Sequence, residues 1–324
     1  MAKVFKSVNS QIRILQSRGM RFRDIQYAKK VLKSKNYYNV INGMKKFLLD
    51  NSTPGTEAYK KNLCFEEVLA LYDFDNGLRT LFLKNILIIE REFRTHIAYE
   101  FSKLESPDGW DNTSSFDYTT HRKQLYVNDL ISTLNDNAIR SQRDSHDDML
   151  NHFHATGTKI PIWALINTFD FGTLKRFYIN AKENLRNEIA KYYNITASQV
   201  RSFLEALHMY RNVCAHDFRI LFYRIYDINK RLPDMNVHSN LKIERNASNE
   251  YLRGKGDLFA IVIIFKYMLS ETDFNYFFKD LKKLVKKIKC KIKTVSFDDI
   301  LDSIGFPKKT DTQLSWNKIK TIDK

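Results

Sequence analysis

Cysteine is scarce in this sequence. Its 324 residues hold three, Cys64, Cys214 and Cys290, far apart, with no C-x-x-C pair and no histidine at ligand spacing beside them. That argues against a disulfide framework or a zinc site and fits a reducing cytosol, so neither metal nor cofactor is expected. Long hydrophobic runs are also missing. The longest, around Phe259 to Phe265, is far short of the roughly 20 residues that a membrane span needs. The opening stretch, MAKVFKSVNSQIRIL, lacks the apolar segment and cleavage site of a signal peptide. A cytoplasmic protein with no membrane partner is the expectation. Acidic residues are outnumbered: 37 Asp and Glu against 53 Lys and Arg leave a formal net charge of +16. An excess of that size favours a polyanion, because Lys and Arg release counterions from phosphates; membrane surfaces and acidic proteins attract the same field.

Proline and glycine are sparse too, at five and ten residues. The prolines, Pro54, Pro107, Pro161, Pro233 and Pro307, fall at boundaries. Between them apolar residues recur three and four apart, and strict two-residue alternation is rare, so the fold class expected is all-α, a multi-helix bundle. Ser7 caps a first helix that stops at Gly19, a second covers about 24–35 and a third about 39–49, before a loop at 51–55. Residues 65–104 read as one very long helix, or two joined near Asn76-Gly77. Helices follow near 121–135, 144–155, 173–181, 183–193, 198–216 (capped by Thr196 or Ser198), 257–270 and 272–293. The chain divides into an N-terminal helical region (1–55), a helical domain with a central insertion (56–225), a basic helical region (226–305) and a flexible tail (306–324).

In the 272–293 helix, Phe277, Leu281, Leu284, Val285, Ile288 and Ile292 share a stripe while lysines cover much of the rest. Such a basic amphipathic helix is a solvated surface or an RNA-backbone contact, with Lys282, Lys283, Lys286 and Lys287 the candidates; membrane-surface binding is a third option.

Arginine and histidine separated by four to six residues occur five times: Arg91–His96, Arg140–His146, Arg201–His208, Arg211–His216 and Arg231–His238. The spacing alone decides nothing. Pro233 disqualifies the last pair as a rigid helical unit, whereas Arg91–His96, on the long helix, is a rival. Arg211–His216 alone has an amide directly after the arginine and a small residue before the histidine. Asn212 and His216, four apart, share a helical face. Arg211 lies about 140° around from His216 on an ideal helix, so the two flank a groove. A ribonuclease working without metal needs a group titrating near neutrality for the 2′-hydroxyl and leaving oxygen, and a fixed cation for the phosphorane charge. Histidine supplies the first and arginine the second. The alternative is that both residues are structural ends of a buried helix.

Five segments in order carry a resemblance to a known family. Asn36-Tyr37-Tyr38 with Ile41-Asn42-Gly43, Leu71 to Arg79 (LYDFDNGLR), Ile89 to Ala98 (IEREFRTHIA), Pro161-Ile162-Trp163 through Phe171-Gly172, and Leu207 to His216 (LHMYRNVCAH) resemble abortive-infection phage-resistance proteins of the AbiD/AbiF type, in the HEPN superfamily, whose ribonuclease signature is Arg-x4–6-His. The match covers about residues 7–225, and Met44 stands where that family tends to have an aromatic. The resemblance implies a HEPN-like domain, a ribonuclease toxin, or at least RNA binding, with Arg211, Asn212 and His216 catalytic. It also implies a homodimer and restraint by a small structured RNA. Glu90, Arg94 and His96 on the long helix are supporting or RNA-facing candidates; an ordinary intrahelical Glu90–Arg94 ion pair is the plainer reading. A non-catalytic RNA-binding module and a helical interaction protein remain as alternatives.

Overall fold

The computed structural model describes residues 5–50, 57–144 (backbone only for 142–144), 148–307 and 316–322. The helices among them are α1 (Val8–Ser17), α2 (Ile25–Ser34), α3 (Tyr37–Val40), α4 (Lys45–Leu48), α5 (Phe65–Leu104), α6 (His121–Asp144), α7 (Asp148–Thr156), α8 (Ile162–Leu165), α9 (Phe171–Asn180), α10 (Glu183–Lys191), α11 (Ala197–Ala215), α12 (Asn236–Asn240), α13 (Leu258–Met268), α14 (Glu271–Lys291) and α15 (Phe297–Ser303), with short 3-10 turns between some of them. Extended pairing among the described residues is limited to isolated bridges. The fold is an all-α multi-helix bundle, as the residue pattern predicts. The loop expected at 51–55 and the His146 of one Arg–His pair lie outside the described residues.

The spine is α5, 40 residues and so about 60 Å long. Glu66 and Glu67 in its first turn and Lys103 in its last suit the helix dipole. It runs unbroken through Asn76-Gly77. Gly77 serves packing there: a Cβ would stand 2.9 Å from Leu284 Cδ2 of α14. Phe82 of α5 meets Phe265 of α13 and Phe277 of α14, and α14 and α11 are principal neighbours of α5. One apolar cluster runs from Ile12 to Ile319. The longest apolar run becomes α13, buried on all sides except at Lys266. No helix among the described residues is long and apolar enough to cross a membrane.

The start of α5 and the end of α14 are joined by one carboxylate. Glu67, 5% exposed, accepts hydrogen bonds on Oε1 from the backbone N–H groups of Lys293, Thr294 and Val295 at 3.0, 2.8 and 2.8 Å. A buried anion is tolerated when several donors converge on it.

Two local expectations are corrected. The helix expected at 39–49 is broken into α3, a 3-10 turn at Asn42–Met44, and α4, because the chain turns at Gly43 against the Arg219 side chain. Part of the segment expected as a flexible tail is anchored: Trp316 is buried against Phe278 and Phe306, with ring centroids 5.4 and 5.1 Å away. Residues 308–315 of that segment lie outside the described residues.

Candidate functional site

Helix α11 starts at a capping box in which Thr196 and Gln199 exchange side-chain and backbone bonds. Its stripe of Val200, Phe203, Leu204, Leu207, Tyr210, Val213 and Cys214 is buried. Tyr210 is fixed by its hydroxyl, 3.2 Å from the Tyr223 carbonyl and 3.3 Å from that of Gly256. That orientation leaves Arg211 and Asn212 half-buried at the edge of the stripe and brings His216 to the surface as the C-cap residue.

The helix is stopped there by an ion network rather than by glycine. Asp217 follows His216 with φ +58°, a left-handed conformation that L residues other than Asn and Asp rarely take. Arg79 Nη1 donates to Asp217 Oδ1 while Arg79 Nε donates to the buried Asp75 at 3.1 Å. Asp75 Oδ1 in turn accepts from the Ile220 and Leu221 N–H groups at 3.0 and 2.9 Å. Burial pushes the Asp75 carboxyl above its usual range, opposed by the Leu221 N–H and the Arg79 charge. Asn39 Nδ2 reaches Asp217 Oδ2 at 3.5 Å. Arg219 donates to the Tyr38 carbonyl at 3.2 Å, and its guanidinium lies 5.0 Å from the Tyr38 ring centroid. Gly43 makes room for it, since a Cβ would fall 1.9 Å from Arg219 Nε.

A second set lies further back along α11. Arg94 pairs with Glu90 and donates to the Phe169 carbonyl at 2.8 Å. Phe171, two residues on, stacks on His208 at 6.0 Å, and His208 Nε2 lies 3.5 Å from Asn212 Nδ2. The His208 ring is held below its usual pKa by burial and by the nearby cations Lys175 and Arg211, against the pull of Glu205 and Asp170.

Among the sequence candidates, Arg211, Asn212 and His216 come together at the end of α11. No hydrogen bond or ion pair with a described residue engages the Arg211 side chain, and its buried Nε has no partner. Among the described residues the ring contact of His216 is with the exposed Phe218, 6.5 Å away and edge-on. Glu90 and Arg94 partner each other, and among the described residues neither makes a hydrogen bond or ion pair with Arg211 or His216. His96 sits elsewhere, with Nδ1 3.1 Å from Tyr193 Oη and its ring stacked 3.9 Å from Tyr192; burial lowers its pKa. Lys282, Lys283, Lys286 and Lys287 are exposed on α14; Lys283 pairs with Asp280, while Lys286 and Lys287 have no ion-pair partner among the described residues. Burial pushes the Cys214 thiol up to about 12, so within this segment it is an inert packing group. Among the described residues no three metal-ligating side chains converge.

Asp75, Arg79, Asp217, Arg219 and His208 are the site residues that reasoning from the sequence missed as participants. Asp75, Arg79 and His208 had the signal of membership in the five ordered segments, and His208 also sat in the Arg201–His208 pair; Asp217 and Arg219 follow the last segment and had none.

Residues 30–221, more than half of the chain, match the Abi-like protein family, and the chain belongs to that family. It is therefore an abortive-infection type of phage-resistance protein. Comparisons with curated proteins and with solved structures give no match. The matched span takes in all five segments and ends at Leu221, the last residue that Asp75 holds; α13, α14 and α15 lie beyond it.

Proposed function

We propose that the chain is a HEPN-type endoribonuclease toxin of abortive infection, acting on RNA in the cytoplasm without a metal. The observation that carries this reading is the pair at the end of α11: a half-buried arginine whose guanidine Nε is unpartnered, five residues before an exposed histidine whose position is fixed by the Asp217 network. An arginine with a buried, unpartnered Nε and no carboxylate partner among the described residues is poised for an anion. In the reaction His216 takes the proton of a ribose 2′-hydroxyl, the 2′-oxygen attacks the adjacent phosphorus, and Arg211 stabilises the charge that develops on the phosphorane oxygens. The P–O5′ bond breaks, and the 5′-oxygen collects a proton, leaving a 2′,3′-cyclic phosphate and a 5′-hydroxyl. Asn212 orients the phosphate or the imidazole. A homodimer places a second Arg211–His216 pair at the same phosphate, so that one histidine serves as base and the other as acid. A small structured RNA held on the basic surface restrains the toxin.

The test is incubation of purified protein with RNA in EDTA, with end-group analysis. Cleavage with those ends, lost in His216→Ala, supports the mechanism; cleavage that persists in His216→Ala or needs added metal ends it. A second reading, a non-catalytic RNA-binding module, is favoured by the exposed Lys286 and Lys287 and predicts salt-steep binding with no product.

A further inference from the structure

A cavity of about 780 Å³ opens between the second half of α5 and the α8 turn. Its walls include Tyr99, 62% exposed, and Trp163, 45% exposed. Trp163 is held edge-on by Phe153 at 5.8 Å. Arg91, Arg94 and Lys103 line the same space, and no carboxylate does. Arg94 Nε and Ser102 Oγ, both from lining residues, are buried without a partner. None of this belongs to the Arg211–His216 pair.

The chemistry of the walls narrows the occupant. Arg94 is paired with Glu90 and Lys103 with Glu100, so a purely apolar ligand leaves Arg91 and the two buried polar atoms unanswered, while a bare anion leaves two exposed aromatic rings unanswered. A molecule with a flat π face and an attached anion answers both, since rings stack and guanidinium groups fork onto phosphate. The volume is in the ordinary range for small-molecule sites. We propose that this cavity binds a nucleotide, with its base against Tyr99 and Trp163 and its phosphate toward Arg91 and Arg94. The nucleotide is either free in solution or one unit of an RNA strand, and the proposal does not depend on the nuclease reading.

Trp163 is its own reporter, because Trp110 and Trp316 are buried. Full-length protein is titrated separately with each of the four ribonucleoside 5′-monophosphates, with inorganic phosphate, and with a mixed-sequence pentanucleotide bearing 2′-O-methyl groups, which cannot be cleaved through the 2′-oxygen. The expected result is saturable quenching of tryptophan emission, absent in Trp163→Phe and shifted to about tenfold higher concentration in Tyr99→Ala and in Arg91→Gln, with unchanged melting temperatures. Quenching by a mononucleotide identifies a free ligand; quenching by the pentanucleotide alone identifies a strand subsite. The same response to inorganic phosphate, or no saturable response to any nucleotide, overturns the proposal. Cleavage in EDTA is scored independently, so either reading can fail alone.

Discussion

The two sides of the α11 terminus differ in how their polar groups are met. After the turn, Asp217, Ile220 and Leu221 are tied by Arg79 and Asp75. Before it, among the described residues, Arg211 carries a buried Nε without a hydrogen-bond partner and His216 has an aromatic edge beside it. Buried polar groups are ordinarily paired, so an unpaired one is either strain or a place kept for a ligand. The bonds of Asp75 and Arg79 after the turn fix the geometry that the side before it offers, although Arg219 after the turn also carries a buried Nε without a partner.

The sharpest way to break this contrast is to empty the open side. Arg211→Ala and His216→Ala are expected to lower RNA cleavage by about 100- to 10,000-fold while leaving the melting temperature near wild type, read by single-turnover kinetics and calorimetry. If instead Arg211→Ala unfolds the protein, the arginine belongs to the scaffold and the contrast fails. Emptying the closed side should do the reverse. Asp75→Ala removes the buried partner of Arg79 Nε, leaving the arginine its bonds to Asp217 and Asn76, and strands the Ile220 and Leu221 N–H groups; it is expected to cost about 3 kcal/mol of stability by urea unfolding, and cleavage falls because His216 loses its support.

A smaller effect concerns pH. Burial lowers the pKa of His96, His208 and His238 below the ordinary 6.5. The Met235 N–H donates to His238 Nδ1 at 3.0 Å and Nε2 lies 2.9 Å from the Gly254 carbonyl, so the neutral ring with its proton on Nε2 satisfies both. A depressed pKa contributes stability that is present above 6.5 and lost as pH falls through the folded values. Asp257 runs the other way: burial raises it to about 6 against the Arg224 charge, so its contribution is present below 3.8 and lost as pH rises through about 6. The difference in melting temperature between wild type and His238→Gln isolates the histidine part and should shrink as pH drops from 7 to 5.

The smallest expected effect is on the lysine face. Changing Lys282, Lys283, Lys286 and Lys287 to Gln should leave stability unchanged. If that face contacts RNA, the salt dependence of binding should flatten by about 3 in log–log slope; no change in slope assigns the face to solvent.

Much of the bundle is legible in the residue pattern because an apolar ladder such as Leu71 to Ile97 needs no knowledge of its partners. The continuity of α5 at Gly77 is not, since the reason is Leu284, two hundred residues later. The break at Gly43 is hidden likewise, because it depends on where Arg219 comes to rest. At the site, Arg211, Asn212 and His216 are recognisable by local composition on one helix. Asp75 and Arg79 look like any surface i, i+4 pair; only their long-range contacts with Asp217 and Leu221 distinguish them. Trp316 lies in polar sequence, and nothing nearby announces that Phe278 and Phe306 will cover it.

The Glu67 hook has a consequence for synthesis. Its three donors leave the ribosome well after Arg211 and His216. A product stopping at Leu221 would also lack Phe265, Tyr267 and Phe277, which cover Phe82 and Phe203. A truncated chain therefore carries Arg211 and His216 on an unfinished frame with exposed aromatic surface, a form suited to proteolysis. On the function proposed above, a cell making this protein meets the pair on its finished frame only after Val295 has been added.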